Sequence, residues 1–330
     1  MSNENRGAAP HRAEAEREEF AEPVEGFRAG FLSFVGRPNA GKSTLTNALV
    51  GDKVAITSNK PQTTRHAIRG IVHGSDFQLV LVDTPGLHRP RTLLGKRLNE
   101  LVAQTLADVD AIAFCIPADE PIGPGDRFIA QHIRDMGRKP LIAIVTKADR
   151  VSRQALGEQL LAVQKLGESV TDGEGWTEII PVSATAGFQV DEVARVLAQH
   201  MPVSPPLYPL GSVTDDEDAK IVSELVREAA LEGVRDELPH SLAATVEEIL
   251  PREGRPADRP LLDVRVTVYV ERPSQKAIII GKGGSRLKHI GATARPEIER
   301  RLGSQVHLDL HVKVLKDWQR DPKQLNRLGF

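Results

Sequence analysis

The stretch Gly36-Arg37-Pro38-Asn39-Ala40-Gly41-Lys42-Ser43 decides how the rest of the chain is read. It follows an apolar run, Phe31-Leu32-Ser33-Phe34-Val35, and leads into a helix predicted over residues Thr44 to Leu49. A G-x-x-x-x-G-K-[ST] pattern between a strand and a helix is the setting in which such a loop cradles phosphate. Gly36 and Gly41 let the backbone from Asn39 and Ala40 through Thr44 turn its N–H groups around anionic oxygens, where the helix N-terminus adds partial positive charge. Lys42 then reaches the β and γ phosphates, and the Ser43 hydroxyl is placed to ligate Mg²⁺.

Working outward, residues 31 to about 198 alternate apolar strands with longer amphipathic segments. Strands are predicted at Phe31–Val35, Ala67–Val72, Phe77–Val82, Ala111–Ile116, Leu141–Val145 and Glu178–Val182. Helices are predicted at Leu93–Ala107, Asp126–Met136, Arg153–Lys165 and Val190–His200. This alternation implies an α/β fold, a mostly parallel sheet covered by helices on both faces. A hairpin around His73-Gly74-Ser75-Asp76 makes one strand pair antiparallel. In this class ligands sit beyond the carboxyl ends of the strands, and the remaining motifs fall there.

After the third strand comes Asp83-Thr84-Pro85-Gly86. A carboxylate there holds Mg²⁺ through its water shell, and the Gly86 N–H meets a γ-phosphate, which makes Gly86 and Lys42 catalytic candidates. After the fifth strand comes Thr146-Lys147-Ala148-Asp149. The Asp149 carboxylate accepts two parallel hydrogen bonds from N1–H and the 2-amino group of guanine; adenine offers neither and is rejected. Ser183-Ala184-Thr185, after the sixth strand, supplies backbone contacts to the base. Between the first two strands, Lys60-Pro61-Gln62-Thr63-Thr64-Arg65 offers Thr63 or Thr64 to complete the Mg²⁺ shell with Ser43 and Asp83. Each motif alone is a turn or a surface loop. Four in this order specify a GTP- and GDP-binding domain over residues 28–201.

Composition bounds the alternatives. The 330 residues are 40% hydrophobic and 27% charged, enough for about two ordinary globular domains. The single cysteine, Cys115, excludes an intrachain disulfide and sits in an apolar run, as a buried strand thiol does. No run has the length of a membrane span and the N-terminus has no apolar signal core, so the expected compartment is the cytoplasm. Residues 1 to about 27 are rich in Glu, Ala and Arg and are expected to form a disordered tail. Residues 251–330 carry 17 Lys plus Arg against 9 Asp plus Glu, a balance of +8; with the whole chain at −2, the first 250 residues sum to −10. That asymmetry points to a polyanion partner for the C-terminal quarter.

A Pro-rich stretch, residues 202–213, reads as a linker. Residues 214–330 then form a second unit. Thr214-Asp215-Asp216-Glu217 reads as an N-cap with an acidic first turn, opening a helix to about Gly233. Strands follow at Ser241–Ile249 and Leu262–Val270, then a helix at Ser274–Ile280, Gly281-Lys282-Gly283-Gly284, a helix from Ser285 to Arg301, and a strand from Val306 to Leu315. This α+β order is that of a type II KH domain, whose G-x-x-G loop approaches single-stranded RNA. Gly281, Lys282, Gly283 and Gly284 are the candidate RNA loop, with Lys282, Arg286 and Lys288 neutralising phosphates.

The first domain resembles the translation-factor-related P-loop GTPases. Two positions depart from the commonest pattern. The guanine motif begins with Thr146 where Asn is usual; that Asn mostly braces the phosphate loop, so GTP preference is expected to survive with weaker affinity. Leu87 follows Gly86 where Ras-like proteins carry a water-orienting Gln. The resemblance is to GTPases with an apolar residue there, several of which use the phosphate-loop Asn, here Asn39, to hold K⁺; a loop-bracing Asn39 is the alternative. One such GTPase domain followed by a KH domain resembles the Era family of bacterial ribosome-assembly GTPases over roughly residues 28–330. The motifs include Gln62-Thr63-Thr64-Arg65, Pro205-Pro206-Leu207-Tyr208-Pro209, Pro239-His240-Ser241 and the tail Lys313 to Phe330. The resemblance implies a monomer that binds the 3′ end of 16S rRNA, matures the small (30S) subunit and associates peripherally with the inner face of the membrane. The alternative is a nucleotide-gated membrane switch that uses its KH surface for protein or lipid.

Overall fold

The computed structural model of the chain describes residues 24–57, 63–86, 92–136, 139–171, 173–234, 238–256 and 260–330. The elements of the first half are β1 (Arg28–Val35), α1 (Lys42–Val50), β2 (Ile68–His73), β3 (Phe77–Asp83), α2 (Leu93–Asp108), β4 (Ala111–Pro117), α3 (Pro124–Arg134), β5 (Leu141–Thr146), α4 (Arg153–Val170), β6 (Glu178–Pro181) and α5 (Val190–Gln199). The sheet runs β2-β3-β1-β4-β5-β6. The β2–β3 pair is antiparallel and the other pairs are parallel. Every residue of β4 is buried, as a strand covered on both faces requires. Leu32 and Phe34 of β1 join one core with Leu45 of α1 and Leu197 of α5. Val35 joins the opposite core with Val102 of α2, Ile129 of α3 and Val163 of α4. Each such side chain contributes roughly 1.5–3 kcal/mol of burial, so the two cores clamp the sheet and fix where its strands end. Because β1 lies between β3 and β4, the chain's direction of winding reverses there, and the loop after β1 opens onto the crevice.

The second half comprises α6 (Asp218–Leu231), α7 (Leu238–Ser241), β7 (Ala243–Pro251), β8 (Leu261–Val270), α8 (Pro273–Ile280), α9 (Ser285–Leu302), β9 (Gln305–Val314) and α10 (Pro322–Arg327). Strand β8 pairs antiparallel with β7 and parallel with β9; the α8–α9 crossover makes the parallel pairing possible. Val264, Val266, Val268 and Val270 alternate onto the face covered by α6, α8 and α9.

Several expectations need correction. Helix α6 starts three residues later than expected, with Glu217 as its N-cap. The Thr214 hydroxyl accepts from the Asp216 N–H (3.2 Å), a local turn that competes with helix initiation. Phe27, assigned to the tail by composition, is 5% exposed and its carbonyl accepts from the Ser204 N–H (3.0 Å); residues 1–23 of the tail lie outside the described residues. The Pro-rich stretch is no free spacer. The Gln78 carboxamide oxygen accepts from the N–H groups of Leu207 and Tyr208 (2.7 and 2.9 Å), and the Val213 carbonyl accepts from the Ile71 N–H (3.0 Å). Prolines cannot donate, but the segment still offers carbonyls to a sheet edge.

The two halves share an apolar core. Leu94 and Leu98 of α2 pack with Tyr269, Trp318, Leu325 and Leu328 of the second half. Trp318 is fully buried, and its indole N–H donates to the Ser241 carbonyl (3.0 Å).

Candidate nucleotide and RNA sites

The phosphate loop needs glycine at two positions. Gly36 has φ +154°, and a Cβ there would lie 2.6 Å from the Cys115 carbonyl oxygen. Gly41 has φ +90° and lies against Thr146. Asn39 holds a left-handed φ of +64°, which Asn tolerates better than most residues. Lys42, only 7% exposed, donates from Nζ to the carbonyls of Gly36 (3.1 Å) and Arg37 (3.0 Å). Burial lowers its pKa, against the opposing pull of Asp83. A desolvated ammonium held at the loop's centre is poised for an anion.

Asp83 is fully buried at the end of β3. Its Oδ2 accepts from the hydroxyls of Ser43 (2.6 Å) and Thr64 (3.2 Å), whose oxygens are themselves 3.2 Å apart. Its Oδ1 is buried without a hydrogen-bond partner, and burial pushes the carboxyl pKa up despite Lys42, Ser43 and Thr64. Three hard oxygen donors converging around an under-satisfied carboxylate fit Mg²⁺, which takes few protein ligands when substrate phosphates supply the rest. Among the described residues no group of three or more His, Cys, Asp or Glu side chains could hold a metal ion. Thr64, rather than Thr63, stands at Asp83.

A cavity of about 420 Å³ opens over this cluster. It is lined by Asn39, Gly41, Lys42, Ser43, Thr44, Thr63, Thr64, Gly86, Thr146, Lys147, Ser183 and Ala184, so most of the expected residues meet in one place. Gly36, Ala40 and Asp83 are buried and do not line it; Asp149 is exposed on the helical turn Ala148–Arg150 after β5. Leu87 and the segment Lys60 to Gln62 lie outside the described residues.

Thr146 resolves the departure in the guanine motif. Its hydroxyl donates to the Ala40 carbonyl (2.6 Å), tying β5 to the phosphate loop as the longer Asn side chain was expected to do. Sequence reasoning missed Ile56, Thr57, Glu120 and Arg150, which also line the cavity. Asp119 and Glu120, on the loop after β4, pair with Arg150 (3.2 Å), Lys147 (3.4 Å) and Arg37 (3.2 Å), fastening the phosphate and base loops together. An acidic pair at a strand's carboxyl end was the available signal.

Thr63 and Arg65, on either side of Thr64, also touch the second half. The buried Arg65 guanidinium donates to the carbonyls of Leu242 (2.7 Å), Pro239 (3.0 Å) and His240 (2.7 Å) and lies over the Trp318 ring. Next to it His66 stacks on Phe330, and burial takes its pKa down to about 4, so it is neutral at pH 7.

The G-x-x-G loop is built differently. Gly281, Gly283 and Gly284 all have positive φ (+74°, +58° and +79°). A Cβ on Gly281 would meet the Arg286 backbone N at 2.9 Å, whereas Gly283 and Gly284 face open space. Lys282 and Lys288 are exposed. Arg286 departs from its expected role: its guanidinium donates to the Ala230 and Glu232 carbonyls at the C-terminal end of α6, where a cation also complements the helix dipole. No helix among the described residues is long and apolar enough to cross a membrane.

The same arrangement recurs in known proteins. Residues 31–147 match the family described as a 50S ribosome-binding GTPase, and residues 237–319 match the KH domain family. GTPase Era of Streptomyces coelicolor is 64% identical, over 95% of this chain and 98% of the relative. GTPase Era of Mycolicibacterium smegmatis is 60% identical, over 92% of this chain and 99% of the relative. A crystal structure of Era with MgGDPNP and nucleotides 1506–1542 of 16S ribosomal RNA superposes with a TM-score of 0.86 at 36% identity, covering 92% of this chain and 99% of that one. A single-residue variant of Aquifex aeolicus Era bound to GDP·AlF4⁻ gives a TM-score of 0.85, also at 36% identity and the same coverage. These matches run through both halves and the segment between them, and the chain belongs to the Era family of GTPases.

Proposed function

We propose that this protein hydrolyses GTP to GDP and phosphate, and that its GTP-bound form grips the 3′ end of 16S rRNA during small-subunit assembly. The observation that carries the reading is the Ser43–Thr64–Asp83 cluster beside a buried Lys42, next to a cavity that Ser43, Thr64 and Lys42 line together with Thr146 and Lys147 of the guanine motif. In this reading Ser43, Thr64 and Asp83 hold Mg²⁺, which neutralises charge on the phosphates. Lys42 and the N–H groups from Asn39 to Thr44 bind those phosphates, and Gly86 meets the γ-phosphate. Lys147 and Asp149 hold guanine, with Ser183 and Ala184 beside it. Asn39, exposed at the cavity mouth, holds K⁺ or braces the loop; turnover compared in K⁺ and Na⁺ separates the two.

The description of the GTPase-domain family refers to the large subunit, whereas the full-length match carries RNA of the small subunit. The small subunit is favoured, because the full-length relative shares with this chain the KH domain that would hold the RNA. There Gly281 to Gly284 approach the RNA backbone while Lys282 and Lys288 neutralise phosphates; Arg286 acts on α6. Residues 28–201 and 214–330 are the two units of this reading. A peripheral membrane contact rests on the family resemblance alone.

Competition binding with GTP, XTP and ATP tests the base site. Asp149→Asn should shift preference from GTP toward XTP, since xanthine presents an acceptor where guanine has a donor. Unchanged GTP affinity in the variant would remove Asp149 from the base site.

A further inference from the structure

The C-terminal half of α6 touches both proposed sites. On one side, Arg227 donates to the Thr63 carbonyl and is held in place by Glu224 (Nε–Oε1, 2.8 Å). The next residue, Glu228, accepts from the Thr57 N–H (2.8 Å) and hydroxyl (3.2 Å), and also pairs with Lys53 (2.6 Å). Thr57 and Thr63 both line the nucleotide cavity, and Thr63 precedes the threonine at Asp83. A few residues on, the Ala230 and Glu232 carbonyls of the same helix accept from Arg286, in the first turn of the helix that follows the G-x-x-G loop. Arg227 is 1% exposed and Glu224 is buried, so the hold on Thr63 is a buried contact, while Glu228 meets Thr57 and Lys53 at the partly exposed edge of the same seam. Nothing in the nucleotide motifs themselves requires residues from the RNA-binding half.

We propose that Arg227 and Glu228 are positioning residues for GTP hydrolysis: from the second domain they hold Thr57 and Thr63, and through Thr63 they set Thr64 at the metal site. Their half of α6 is then the physical link between the RNA loop and the nucleotide. Displacing reacting groups by an ångström costs far more in rate than in ground-state binding. The contact therefore matters chiefly to hydrolysis and to the GTP state, where the Thr64 hydroxyl meets Mg²⁺, and little to GDP binding. By linkage, whatever the nucleotide state does to α6 must appear in RNA affinity. The proposal rests on the nucleotide-site reading above.

The test uses the full-length protein with four substitutions: Arg227→Met, Arg227→Lys, Glu228→Ala and, as a control, Arg300→Ala. The last breaks the exposed Arg300–Asp52 pair between the two halves and touches neither threonine. Single-turnover GTP hydrolysis, GDP affinity, thermal midpoint and the ratio of RNA affinities with a GTP analogue and with GDP are measured for each. Arg227→Met and Glu228→Ala should slow hydrolysis about ten- to hundredfold with GDP affinity unchanged. Their RNA affinity ratio should move toward one, Arg227→Lys should recover part of the rate, and Arg300→Ala should resemble the parent. In a Thr64→Ala background the α6 substitutions should slow hydrolysis no further. Parent-like hydrolysis in folded, GDP-binding Arg227→Met and Glu228→Ala proteins overturns the proposal, as does an equal slowing in Arg300→Ala. If Arg227→Met does not fold, Glu228→Ala on the helix surface decides alone. Absence of Mg²⁺-dependent hydrolysis in the parent overturns the site reading itself, and the proposal with it.

Discussion

The protein carries two glycine-rich loops, each running into a helix, and they are built to opposite specifications. In the loop before α1, Lys42 is buried and bonded to two carbonyls, and Gly36 is pressed against the β4 backbone. In the loop before α9, Lys282 is exposed and Gly283 and Gly284 face open space. A compact triphosphate can be surrounded, so desolvating its lysine and packing the loop from beneath strengthens each contact. An extended polyanion approaches from one side only, so its loop keeps its cations in water and leaves room for a chain to lie across it. Depth, more than glycine content, separates the two.

The comparison breaks hardest at Lys42. Lys42→Ala should weaken hydrolysis by about 10²–10³-fold, the effect seen when one preorganised donor to developing charge is removed. Nucleotide affinity should fall with it; single-turnover kinetics and nucleotide titration check both. A mild effect would mean that Lys42 serves only its two carbonyls.

The exposed loop should fail differently. Lys282→Asp combined with Gly283→Asp should abolish binding of a 3′-terminal 16S rRNA oligonucleotide and flatten its salt dependence by ~0.7 for each phosphate no longer neutralised. Two carboxylates replace attraction by repulsion, and position 283 is left-handed, where a Cβ adds strain. GTP affinity should survive, because neither residue lines the nucleotide cavity. Undiminished RNA binding would move the clamp to the basic tail around Lys313, Lys316 and Arg320.

The smallest expected effect sharpens the buried side of the comparison. Thr146→Val keeps the volume but leaves the Ala40 carbonyl without its donor, at a cost of about 1–3 kcal/mol. GTP affinity should fall roughly tenfold, since about 1.4 kcal/mol is a factor of ten. Thr146→Asn should restore the brace.

Most of the first domain was legible because its signals are local. Apolar runs bounded by motif residues placed β1, β3, β4 and β5 within a residue or a few of their observed ends, and four motifs named the cavity. The alternating valines of β8 and the G-x-x-G loop did the same for the second domain. What could not be read was contact between distant segments. Arg65 meets carbonyls some 175 residues away, and Trp318 packs with α2; neither has any periodicity to announce it. How the Pro-rich stretch docks could not be read for a related reason. Its composition reports what it cannot donate, whereas its place on the sheet edge depends on what its carbonyls accept. Arg286 looked like a phosphate ligand because charge is visible in sequence and the carbonyls it caps are not. Glu120 and Arg150 escaped because their role lies in bridging two loops.

These domain contacts put Arg65, Thr63 and α6 between the two glycine-rich loops, so the nucleotide should govern the RNA grip. The most direct measurement is the affinity of the full-length protein for a 3′-terminal 16S rRNA oligonucleotide, with Mg²⁺ and either a non-hydrolysable GTP analogue or GDP, at two salt concentrations. The account predicts tighter binding in the GTP-analogue state, by about five- to hundredfold, the usual range of coupling between sites, with affinity falling steeply as salt rises. Equal affinity in the two nucleotide states would contradict it.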